Sequence, residues 1–108
     1  SGGEVQRLTL AVHLATPSQG ATLFLLDEPT RGLHPDDVVA LLAALERLLD
    51  AGHTIVTVEH DRALIGAADH VVDLGPGAGS AGGEVVFAGL PAALAQSDCS
   101  ATALAIRA

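Results

Sequence analysis

Residues 22 to 59 carry the pattern that limits the fold most. "TLFLLD" at 22–27 is a continuous apolar run closed by an acidic residue and then by Pro29, and "HTIVTVE" at 53–59 is β-branched. Between them Val38, Leu41, Leu42, Leu45, Leu48 and Leu49 recur at helical spacing, from Pro35, a favoured first helical residue, to Gly52. The unbroken apolar run predicts a strand buried on both faces, as in a parallel sheet. Strand, helix of roughly 15 residues and strand form a right-handed βαβ crossover, which makes the two strands parallel in one sheet. Their carboxyl ends then share an edge, and ligands of open α/β sheets bind at such an edge. Asp27 and Glu28 reach it from the first strand, Glu59 and His60 from the second.

The flanking sequence extends the pattern. Val5, Leu8, Val12 and Ala15 predict a helix over 4–16, stopped by Pro17, Ser18 and Gly20. A short helix near 62–68, a strand near 70–74, the turn "GPGAGSAGG", a strand near 84–88 and a last short helix at "LPAALAQ" follow. The expectation is an α/β fold with a mainly parallel sheet and flanking helices. A length of 108 residues suits one domain, and 49% hydrophobic with 17% charged residues is a globular composition. Phe24 and Phe87 are the sole aromatics, so the core must be aliphatic.

Charge and composition exclude several roles. A net charge of -8 without a single Lys weighs against this chain gripping a nucleic-acid backbone, and two aromatics give no platform for stacked bases. The lone Cys99 excludes an internal disulfide, and no Cys/His spacing resembles a zinc site. No apolar run approaches the ~18 residues of a membrane span. The expected setting is the cytoplasm, away from the membrane.

The edge residues suggest phosphate chemistry. A strand that delivers Asp27 to its carboxyl end suits a hard cation such as Mg²⁺, which takes carboxylate and water oxygens beside phosphates. The adjacent Glu28 could deprotonate an attacking water; the alternative is a strand ending in an acidic turn. In "SGGE" at 1–4, Ser1 and Glu4 fit a capping box, while Gly2 and Gly3 would let backbone N–H groups approach an anion at a helix N-terminus. His60 could donate to a terminal phosphate, or be a surface residue or helix cap. His13, His53 and His70 read as structural or solvated, and Asp36 and Asp37 as first-turn helix charge.

Taken in order, these segments resemble an ABC ATPase. "SGGEVQR" resembles the signature motif, "LFLLDEPT" a Walker B with its catalytic Glu, "RGLHPDD" falls where the D-loop belongs, and "VEHD" supplies a switch histidine. Gly32, Leu33 and His34 with Glu59, His60 and Asp61 depart from the usual transporter pattern. Together with "ADHVVDLGPGAGSAGGEVVFAG" and the closing "SATALAIRA" they resemble the UvrA family, the A subunits of the bacterial excinuclease.

The resemblance implies ATP and Mg²⁺ as cofactors, with Asp27 at the metal through water, Glu28 as base and His60 at the γ-phosphate. It implies that Ser1, Gly2, Gly3 and Glu4 close over a nucleotide held by the opposite ATPase half. No G-x-x-x-x-G-K-[ST] occurs in the chain. The chain is therefore expected to be the carboxyl-terminal part of one ATPase half, the C-terminal half being preferred, and to be inactive alone. A partial P-loop NTPase fold without its P-loop strand should expose apolar faces and self-associate or be marginally stable. Implied partners are the other half, the P-loop segment, the remaining excinuclease subunits and, through the parent protein, damaged DNA in nucleotide excision repair. A drug-resistance paralogue, another ABC ATPase and a non-catalytic interaction module are the alternatives.

Overall fold

The computed structural model describes residues 2–16, 20–75 and 83–96. The chain divides into two compact units, Ser1–Glu59 and His60–Ala108. Ser1, the Pro17 and Ser18 helix stop, Cys99 and "SATALAIRA" lie outside the described residues, as does most of the Gly-rich turn.

The first unit is the βαβ crossover with a helix before it: α1 (Gly2–Ala15), β1 (Leu23–Asp27), α2 (Pro35–Asp50) and β2 (Thr54–Val58). β1 and β2 are parallel, with Leu23 opposite Thr54 and Asp27 opposite Val58. Local chemistry sets both ends of α2. His34 caps its start by accepting the Asp36 amide, with Pro35 next in line. Its end is a Schellman arrangement. Gly52 adopts φ 95, the His53 amide donates to Leu48 O, and the Gly52 amide donates to Leu49 O.

The core of this unit sits under one face of the sheet. Phe24 and Leu26 are buried, as are Leu10 of α1 and Val38, Leu41, Leu45 and Leu48 of α2. The other face is open: Leu25 is 71% exposed, and Leu23, Val56 and Val58 are exposed with it. The expected burial of β1 on both faces is thus not met, because among the described residues nothing packs on that second layer. The stripe of α1 is also turned around. Val5, Leu8 and Val12 face outward, and the packed side is Gly3, Gln6, Arg7, Leu10 and Leu14. Polar ties from Gln6 and Arg7 to β1 and the turn after it select that side.

The second unit holds α3 (Arg62–Ala67), β3 (Val71–Leu74), β4 (Val85–Gly89) and α4 (Pro91–Leu94). Asp61 caps α3 by accepting the Ala63 and Leu64 amides. β3 and β4 are antiparallel, with a register shift between Asp73 and Leu74. The described sheets are therefore two pairs, one parallel and one antiparallel, where a mainly parallel sheet was expected. The segment joining β3 to β4 carries no helical pattern, and a parallel pair would need such a crossover. Leu64 and Leu94 are the buried anchors of α3 and α4.

Candidate functional site

The carboxyl ends of β1 and β2 share one edge, as the crossover requires, and Asp27 closes β1 there with an exposed side chain. α1 runs antiparallel to β1 along its outer side: Gln6 meets Asp27 near one end, and the His13 ring stands edge-on to Phe24 near the other, centroids 4.9 Å apart. This brings the N-terminal turn of α1, with Gly2, Gly3 and Glu4, to the same edge as Asp27. A helix N-terminus favours an anion and an exposed carboxylate a cation, so this edge offers one group of each kind.

Glu28 is the one non-glycine residue among those described with a positive φ, 45. That left-handed conformation costs an extended side chain about 1–3 kcal/mol and marks a turn held by its surroundings. Three contacts hold it. The Glu28 amide donates to Val58 O at 2.8 Å, its carbonyl accepts the Arg31 amide at 3.0 Å, and its carboxylate meets Arg31 Nη2 at 2.8 Å. Pro29 is buried directly after it.

Thr30 ties this turn to the end of β2. Its hydroxyl donates to Glu59 Oε1 at 2.7 Å and its amide to Glu59 Oε2 at 3.4 Å. On the opposite side Arg7 Nη1 donates to Pro29 O at 3.1 Å. Gly3 leaves room for that arginine, since a Cβ there would stand 2.8 Å from Nη1. A larger residue at this position would displace only the tip of that flexible side chain, so the contact alone does not require glycine. Gln6, Arg7 and Thr30 were not singled out by sequence. Their signal was position: two consecutive polar residues one place beyond "SGGE", after Val5, and a hydroxyl two residues after Glu28.

His60 follows Glu59 directly and is exposed; it opens the second unit, and the cap of α3 is its neighbour Asp61. Of the two readings open for His53, structural or solvated, the structural one holds. The residue is buried, its Nδ1 accepts the Thr22 amide at 3.0 Å, and its ring stands edge-on to Phe24. Among the described residues no three His, Cys, Asp or Glu side chains converge on a metal position.

No family model matches the chain. Curated relatives do, over nearly its whole length. UvrABC system protein A of Thermus thermophilus is 54% identical over 91 residues, covering 84% of this chain and 10% of that protein. The Aquifex aeolicus protein of the same name is 50% identical over 107 residues, covering 99% of this chain and 12% of the relative. The chain is a homologue of a segment of UvrA. The crystal structure of UvrA2 from Deinococcus radiodurans agrees, with a TM-score of 0.90 at 44% identity over 98% of this chain and 13% of that one. This UvrA-like segment therefore spans about a tenth of the length of the curated relatives it matches. No helix among the described residues is long and apolar enough to cross a membrane.

Proposed function

We propose that this UvrA-like segment forms part of one ATPase half of a protein that couples ATP binding and hydrolysis to recognition of damaged DNA. The observation that carries the reading is the meeting, at one sheet edge, of the α1 N-terminus with Asp27 and the strained, tethered Glu28. Each residue has a defined task. Asp27 would hold Mg²⁺, Glu28 would take the proton of the attacking water, and His60 would donate to the terminal phosphate. Ser1, Gly2, Gly3 and Glu4 face a nucleotide held by the opposite half. Bound Mg²⁺ supplies charge neutralisation at the phosphate oxygens.

The chain contributes no lysine to a phosphate cradle. Its motifs thus act on two composite sites, each completed by other segments, and ATP joins the halves. The excinuclease partners, the cytoplasmic setting and the DNA lesion belong to that larger protein. Glu28→Gln in a UvrA polypeptide carrying this segment should retain ATP binding and lose turnover, trapping ATP. Undiminished turnover would remove Glu28 from the mechanism.

A further inference from the structure

We propose that Gln6 is a positioning residue that locks the signature end of α1 to the strand end carrying Asp27, so that the two composite sites touching this chain respond together. The inference rests on the ATPase reading above and adds to it a route between sites. In a parallel ladder successive residues bond alternately to either side. The Glu28 amide donates to Val58 O, so the amide and carbonyl of Asp27 point the other way, to the outer side of β1. Gln6 serves both groups there. Its Nε2 donates to Asp27 O at 2.9 Å, and its Oε1 accepts the Asp27 amide at 2.7 Å.

Two antiparallel bonds from one carboxamide hold a peptide as a neighbouring strand would, in position and in orientation. The next residue, Arg7, crosses over Gly3 and donates to Pro29 O. Consecutive side chains of α1 therefore hold the chain on both sides of Glu28. The first turn of α1 cannot shift along β1 without breaking these bonds. A movement of Gly2 to Glu4 toward one nucleotide is thus transmitted to Asp27, which serves the other.

The test compares Gln6→Leu, which keeps size and removes both bonds, with Gln6→Glu, which keeps the acceptor and loses the donor. Both are made in a UvrA polypeptide carrying this segment, with Val12→Ala on the outward side of α1 as control. Gln6→Leu should speed hydrogen exchange of the Asp27 amide by about fivefold or more. It should also raise severalfold the Mg²⁺ concentration that half-saturates ATP binding, with Gln6→Glu intermediate and Val12→Ala unchanged. If Gln6→Leu fails to fold, Gln6→Glu decides by the same two readouts. Unchanged exchange would overturn the contact. Faster exchange with an unchanged Mg²⁺ requirement would overturn the positioning role and leave Gln6 as an edge cap. Asp27→Asn separates this from the parent reading: if it leaves Mg²⁺-dependent ATP binding intact, the ATPase assignment has failed, not the Gln6 link.

Discussion

The carboxylate of Glu59 receives both the hydroxyl and the amide of Thr30. The turn that follows β1 is thereby closed against the end of β2, and the left-handed Glu28 lies inside that closure. Hydrogen bonds to a charged acceptor contribute about 1.5–3 kcal/mol, more than neutral ones. Thr30→Val, which keeps the shape and removes the hydroxyl, is expected to destabilise the chain by about 1–2 kcal/mol. Glu59→Gln, which retains an acceptor, should cost less. Denaturant midpoints at constant slope measure both, and equal midpoints for Thr30→Val and the parent chain would contradict the tie.

Much of this architecture is legible in the sequence because it rests on local rules. Pro35, the apolar period of α2 and Gly52 give a helix whose ends are set by chemistry within two or three residues. The βαβ handedness then brings Asp27 and Val58 to one edge. The orientation of α1 was not legible. Val5, Leu8 and Val12 form a good apolar stripe, yet the packed side is set by Gln6 and Arg7 reaching residues 21 and 22 positions away. Periodicity reports which residues share a face, not which face finds a partner. The same holds for β1, whose composition reads as buried on both sides although Leu23 and Leu25 are exposed.

His53 is expected to act through its acceptor nitrogen. Its Nδ1 receives the Thr22 amide, which places the ring proton of the neutral form on Nε2. His53→Leu keeps apolar bulk against Phe24 but removes the acceptor, and should cost about 1–3 kcal/mol. His53→Asn, whose side-chain oxygen can occupy the same place, should be milder. Thermal melts of the two variants check the order, and a leucine variant as stable as the asparagine one would assign the site to packing alone.

The open face of the β1–β2 pair should make the chain associate. Leu23, Leu25, Val56 and Val58 form an apolar surface next to a strand edge, the combination that favours contact with other chains. Leu25→Lys puts a charge at its centre without touching the buried Phe24 and Leu26. Sedimentation velocity over a concentration series should show larger species for the parent chain and a shift toward monomer for the variant. Concentration-independent monomer for both would show that this face is tolerated in water.

Glu28 offers the sharpest separation of function from stability. A glutamate at φ 45 carries a strain that glycine does not, and its ion pair with Arg31 returns little because Arg31 is 79% exposed. Glu28→Gly relieves about 1 kcal/mol or more of backbone strain, offset in part by the larger freedom of glycine in the unfolded chain. The expected result is stability equal to or above that of the parent, whereas Glu28→Gln, which keeps the strained backbone, gains nothing. In a UvrA polypeptide carrying this segment both variants should lose ATP turnover. Stability that does not fall, together with turnover lost, would mean that the strain is kept for the carboxylate. A clear loss of stability on going to glycine would instead make Glu28 a structural residue of the turn.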